Sequence, residues 1–320
     1  MKKFCFLLLF ASMSIFGQTE SYVQTLKTFQ EYYNQGDSQA IYDMMNSRMQ
    51  EQLGLKNVKA IVTTFRDNLG SITEYKFISR EGFTETYEAT FEHGRQNIAL
   101  TLQPDGIMSG LRFLPAAEEN SVAKMDRNQT PLSLPFKGEW YTFWGGDTKA
   151  QNYHVVSKTQ KHAFDFLILD KNGKSYERSG TRNEDYYAFG KPIYAVCDAL
   201  LYKVTTGVED NRPGIMNPTQ MLGNSVILKT ENEEYIVYAH FEKETVKVKE
   251  GDFVKRGQYL GNCGNSGNST EAHLHIHIQD GPNVLGDIGV KCYFDSLWIN
   301  GTLERDYSPV KGDKITRPKE

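Results

Sequence analysis

The segment Ala272-His273-Leu274-His275-Ile276-His277 alternates imidazole with aliphatic side chains. A period of two fits a β-strand and no helix, so the three histidines share one face and the aliphatic residues the other. Of the seven histidines in the chain, only His93 is far from the rest, while His154, His162 and His240 precede this strand from the middle of the chain onward. Imidazole is the commonest metal ligand and the commonest general base, so the clustering marks the second half as the seat of any chemistry.

At 320 residues the chain is long enough for two domains. A net charge of -4 and the lack of a sustained basic stripe argue against nucleic acid as a partner. Met1 to Gly17 places Lys2 and Lys3 ahead of a short apolar stretch, Phe4 to Phe10, with small or polar residues before Gln18. This is the pattern of a secretory signal peptide, and an uncleaved anchor is the alternative. A secreted or periplasmic protein of the bacterial cell envelope is expected, with no membrane span once residues 1–17 are removed. Removal takes Cys5 and leaves Cys197, Cys263 and Cys292. Three cysteines form at most one internal disulfide, and no C-x-x-C pair suggests thiolate zinc, so each reads best as a small buried residue.

The periodicity divides the chain and implies an α+β protein. Tyr22, Leu26, Phe29 and Tyr33 fall on one helical stripe, which Gly36-Asp37 ends while capping a second helix. A third helix after Asn57 carries Val58, Ile61, Val62, Phe65 and Leu69 and stops at Gly70. Four strands follow, at Tyr75 to Ile78, Glu85 to Phe91, Asn97 to Leu102 and Met108 to Leu114. Residues 18–115 thus read as an α+β module of three helices and a four-stranded sheet, similar to the nuclear-transport-factor-2-like or cystatin-like group. Catalytic residue types do not cluster in it, which suits a spacer, self-association or protein-binding role. Residues 116–135 are polar and end near Pro131 and Pro135, as a linker does. From Phe136 short strands bounded by Gly, Asn and Asp take over, so residues 136–305 read as an all-β, mainly antiparallel domain followed by a tail, 306–320.

Neighbouring histidines on one strand face stand roughly 6.6 Å apart, close enough for two to share a zinc ion, or for one to hold it and the next its water. Gly264-Asn265-Ser266-Gly267-Asn268-Ser269 forms turns that deliver the strand to the site. His240 ends the apolar run Tyr235 to Ala239, and Asp165 sits inside Ala163-Phe164-Asp165-Phe166-Leu167-Ile168. A carboxylate in so apolar a strand is costly unless paired or bound to metal. His277 is expected to be a bystander at the rim. Two long connections, Asp170 to Gly190 and Gly207 to Gly223, are expected to wall a groove. Trp140, Trp144, Tyr186 and Tyr187 suit either gripping a substrate there or packing its rim.

Gly264 to His275, Gly190 to Asp198, Gly223 to Leu228, Tyr238-Ala239-His240 and Val248 to Gly261 together resemble the M23 (lysostaphin or LytM type) zinc endopeptidases. The resemblance spans roughly Gly138 to Gln279. It implies an open-grooved antiparallel fold, one zinc ion, and peptidoglycan cross-link peptides as substrate. It also implies that Asp165 and His275 ligate the metal, while His240 and His273 orient water and stabilise the oxyanion. In that scheme His273 takes a proton from water and passes it to the leaving amine.

One position departs from the family pattern. The first ligand is expected four residues before Asp165, where this chain has Lys161. His162 would point to the wrong strand face. If 152–157 and 161–169 form a hairpin turning at Thr159-Gln160, His154 lies across from Asp165, about 5 Å away between Cβ atoms. The expected ligand set is therefore His154, Asp165 and His275. Lys161 keeps a rival open, a catalytically impaired wall-binding module that regulates other hydrolases.

Overall fold

The computed structural model describes residues 20–115 and 123–318. The segment 1–17 expected to be a signal peptide, the two residues after it, the first part of the expected linker and the last two residues lie outside the described residues. Two compact units result. One is drawn from 20–58, 71–91 and 95–115, the other from 59–70, 92–94 and 123–318. The expected cut near 115 is thus not a single point, because the second half of the third helix and one short turn group with the C-terminal unit.

In the first unit, α1 (Glu20–Gln35) buries the stripe Tyr22, Leu26, Phe29 and Tyr33. Asp37 Oδ1 accepts from the Ala40 amide at 2.9 Å and caps α2 (Ser38–Asp43). Helix α3 (Ser47–Leu69) starts ten residues before the expected Asn57 and passes a non-helical Gly54. Its start is set by Asn46, whose Oδ1 accepts from the Met49 amide at 2.9 Å. Strands β1 (Ile72–Glu81), β2 (Thr84–Phe91), β3 (Gly94–Leu102) and β4 (Met108–Pro115) form an antiparallel meander in chain order. Tyr87, Ala89 and Phe91 alternate inward along β2, as the period-two pattern requires.

The second unit is built of strands β5 (Glu139–Trp144), β6 (Phe164–Leu167), β7 (Pro192–Tyr194), β8 (Ala199–Thr205), β9 (Asn224–Lys229), β10 (Tyr235–Phe241), β11 (Phe253–Val254), β12 (Tyr259–Asn262), β13 (Leu274–Gln279), β14 (Gly289–Val290), β15 (Phe294–Ile299), β16 (Thr302–Tyr307) and β17 (Lys314–Thr316). One antiparallel sheet runs in the order β11-β8-β9-β10-β13-β6-β5-β17-β15-β16, with β14 also on β13 and β7 pairing β12 separately. The histidine strand β13 is therefore interior, between β10 and β6. Two segments expected to lie outside this domain are part of it. Leu132 and Leu134 are buried in its core, and the Ser133 amide donates to Val196 O at 2.9 Å, so the end of the supposed linker is packed. In the supposed tail, β17 lies between β5 and β15 with Ile315 fully buried. Three residues are too few for a period to be read from sequence. Cys197, Cys263 and Cys292 are free and buried in this core, where burial pushes the Cys197 thiol up to about 12.

Candidate metal and catalytic site

Strand register brings the central residues together. His275 pairs directly with Asp165 across β13 and β6, and with Ala239 across β13 and β10. His275 Nδ1 lies 2.8 Å from Asp165 Oδ1. His154 joins them, with Nε2 at 3.1 Å from Asp165 Oδ2. All three residues are buried, and their nearest ligand atoms lie within 4.8 Å of one another.

His154 arrives by a different route from the hairpin expected of it. Strand β5 occupies the edge of β6, and Trp144, not His154, is the cross-strand partner of Asp165. Residues 153–156 instead form one turn of 3-10 helix. Asn152 caps that turn, its Oδ1 accepting from the His154 amide at 3.1 Å. The fully buried Asn152 amide also donates to Ala163 O at 2.9 Å and Gly146 O at 3.2 Å, tying the turn to the start of β6. Asn152 was not singled out from sequence, although an Asn two residues before a histidine is a readable cap signal. His162 points elsewhere, with Nδ1 3.3 Å from Asp147, which also pairs Lys291. Lys161 is exposed.

His240 and His273 stand beside this trio. Their ring centroids are 4.8 Å apart, and His240 is 5.8 Å from His275. The β10–β9 register shifts between Tyr238 and Phe241, and His240 there has φ 67°. A bulge with one residue in the left-handed region turns a side chain out of the regular alternation. His240 Nδ1 is 2.8 Å from Ser266 O, and His273 Nδ1 is 2.9 Å from Glu271 O. A carbonyl oxygen only accepts, so both rings carry their proton on Nδ1 and leave Nε2 as a base. His273 Nε2 lies 3.7 Å from Asp165 Oδ1.

The surroundings tune these groups. Burial by itself raises Asp165, but the neighbouring His154 and His273 outweigh it and hold the carboxyl well below its usual range. Burial, then the neighbouring His273 and His275, pushes His240 well below the ordinary histidine value. Burial also lowers His275, against the pull of Asp165. Neutral imidazole is the form that ligates metal and accepts protons. Among the described residues no Lys or Arg pairs with Asp165. A buried carboxylate facing imidazole nitrogens, with no fixed cation beside it, is a donor set suited to Zn²⁺.

A cavity of about 420 Å³ opens over the cluster. Phe143, Trp144 and Tyr153 line one part, and Met216, Met221 and Leu222 another. The connection 207–223 thus forms a wall as expected. The connection 170–190 does not line the cavity, but Ser175 Oγ donates to Glu271, which does, at 2.6 Å. Trp144 stacks edge-on to Tyr153 with Lys311 Nζ 3.9 Å above its ring. Trp140 is in the core, stacked on Phe136 at 4.5 Å, and Tyr186 is buried with its hydroxyl on Gly180 O. His277 is not at the rim: it is buried, with Nδ1 2.9 Å from His275 Nε2. Burial, then His275 and His154, lowers its pKa well below the usual histidine value.

The segment 264–269 holds the site through buried polar groups. Ser266 Oγ donates to Phe241 O at 2.7 Å and accepts from the Asn224 amide at 2.9 Å. Asn224 in turn bonds both the amide and carbonyl of Val208. The two ends of the wall-forming connection and the His240 bulge are thereby clamped together.

A model of peptidase family M23 matches residues 184–285, and a model for a protein of unknown function, DUF3887, matches residues 27–111. The first match contains His240, His273 and His275 and begins after His154 and Asp165. Over 98 residues the chain is 33% identical to the peptidoglycan DD-endopeptidase ShyC of Vibrio cholerae, a match covering 30% of this chain and 19% of that protein. The chain thus spans about a fifth of that relative's length. The catalytic domain of lysostaphin from Staphylococcus simulans is similar at 18% identity and a TM-score of 0.28, covering 48% of this chain and 88% of that one. A zinc containing peptidase from Vibrio cholerae is similar at 13% identity and a TM-score of 0.30, covering 77% and 95%.

Proposed function

With residues 184–285 belonging to peptidase family M23, we propose that the protein is an exported zinc-dependent endopeptidase that hydrolyses peptide bonds in peptidoglycan stem or cross-link peptides. The observation that carries this reading is the convergence of His154 Nε2, Asp165 and His275 Nδ1 under an open cavity, with two further imidazoles alongside. His154, Asp165 and His275 would hold the ion. When bound, zinc supplies Lewis acidity and brings the pKa of a coordinated water down to about 7.

The protein's own groups do the rest. His273, its Nδ1 directed at Glu271 O so that Nε2 faces the site, accepts a proton from the attacking water and returns it to the leaving amine. His240, its Nδ1 proton given to Ser266 O, offers Nε2 as an acceptor beside His273 and orients the attacking water; it has no second proton to give a developing oxyanion. The cavity walls of Trp144, Tyr153 and Met221 exclude water and position an extended peptide. The rival reading, a wall-binding regulator, rested on Lys161, and His154 beside Asp165 argues against it.

The test is digestion of purified sacculi by the full chain, read as newly formed amino termini. Termini that appear with zinc, vanish with chelator and return on zinc addition are expected. A zinc-loaded protein that releases none would overturn the peptidase reading.

A further inference from the structure

Four side chains on one face of the sheet form a line: Asp165, His275, His277 and Gln279. The last three stand at alternate positions of β13, and each is buried. The line ends on backbone. Gln279 Nε2 donates to Asp287 O at 3.1 Å and Asn283 O at 3.4 Å, in the connection between β13 and β14. Carbonyls only accept, so these two contacts fix which end of the Gln279 amide is nitrogen and leave Oε1 as the acceptor at its other end.

Gln279 Oε1 and His277 Nε2 are both buried, and neither has a hydrogen-bond partner among the described residues. They belong to adjacent residues on the same face. An acceptor left over on one and a ring nitrogen left over on the other are satisfied together only if His277 carries its proton on Nε2. His277 Nδ1 is then an acceptor, and the atom 2.9 Å from it is His275 Nε2. His275 must donate there, which leaves its Nδ1 bearing a lone pair 2.8 Å from Asp165 Oδ1. A lone pair facing a carboxylate oxygen repels unless positive charge lies between or beside the two.

We propose that His277 and Gln279 are positioning residues that hold His275 as the Nε2-protonated tautomer, so that its Nδ1 is preset to ligate a dication shared with Asp165. The proposal rests on the zinc reading and adds to it a reason for the third histidine of the strand. A ligating histidine whose other nitrogen donates to a fixed acceptor binds its metal more tightly, typically by 10–100-fold.

Two measurements test it. Zinc affinity by competition with a chelating dye should fall about 10–100-fold in His277→Leu. His277→Asn, whose Oδ1 can stand where Nδ1 accepts, should recover most of that loss. Equal affinity in wild type and His277→Leu would overturn the proposal. So would an Asn variant as weak as the Leu variant, since packing alone would then explain the effect. The second measurement is nitrogen NMR of histidine-labelled, metal-free wild type, which needs no variant to fold. His277 protonated on Nε2 is expected, and His277 protonated on Nδ1 overturns the relay. If wild type binds no zinc, the peptidase reading fails while the NMR result still decides the relay.

Discussion

Gly223 offers a sharp test of how the backbone supports the site. It has φ +60°, and a Cβ built on it would lie 2.4 Å from Ser266 O and 2.5 Å from Ser266 Oγ. That carbonyl holds His240, and that hydroxyl bridges Phe241 and Asn224. Gly207, at the other end of the same connection, has φ +84° but nothing within 4 Å of such a Cβ. The pair separates two costs. Left-handed backbone costs an alanine about 1–2 kcal/mol at either position. Overpacking against Ser266 adds about 1–3 kcal/mol at Gly223 only. Gly207→Ala should therefore destabilise by about 1–2 kcal/mol and Gly223→Ala by about 2–5 kcal/mol. Urea unfolding of both variants measures this. In the folded Gly223→Ala protein, hydrolysis should also fall by about 100-fold, because a shift near 1 Å at His240 spoils its alignment. Hydrolysis by Gly207→Ala should stay near wild type. Equal stability loss in the two variants, or full activity in Gly223→Ala, would show that Ser266 does not depend on the bare backbone at Gly223.

Three further outcomes are expected. His273→Ala should keep its zinc, measured by metal analysis, yet lose about 10²–10⁴-fold in hydrolysis rate, since it removes proton transfer without removing a ligand. Chelated protein should lose stability in urea as pH drops below the ordinary histidine value of 6.5: His240, His275 and His277 have lowered folded-state values, so the unfolded chain binds more protons there, and stability is full above that pH and declines below it. Asp165, also lowered, extends the loss below pH 3.8, and a flat profile from pH 7 to 4 would contradict this. Ile315→Ala should cost about 2–5 kcal/mol in chemical unfolding, because Ile315 is fully buried in an interior strand, whereas a true tail position would tolerate it.

Much of the site was legible because it is carried by strands. The period of two in β13 and the isolated Asp165 in β6 put His275 and Asp165 in register, and the stripe of α1 and the Asp37 cap were equally readable. What escaped was carried by irregular backbone. His154 is legible as a ligand, but its one-turn helix is not, because four residues show no period and the bonds that tie the turn to β6 are made by Asn152 to backbone beyond it. The depth of His277 is not legible, because nothing local distinguishes a buried histidine from one at a rim. Its cross-strand partner Val237 packs with Val284 and Leu285 of the connection after β13, chain that lies outside the strand's own pattern. Trp140 was placed equally between groove and core for the same reason, and its stacking on Phe136 is decided by chain outside the strand's own pattern.

In the proposed site His154 supplies the ligand missing at Lys161. Metal analysis of wild type, His154→Ala and His162→Ala, each purified without chelator, tests it most directly. About one zinc per chain is expected in wild type and in His162→Ala, with zinc lost in His154→Ala. A wild type without zinc, or one whose zinc is lost with His162 and retained without His154, would contradict it.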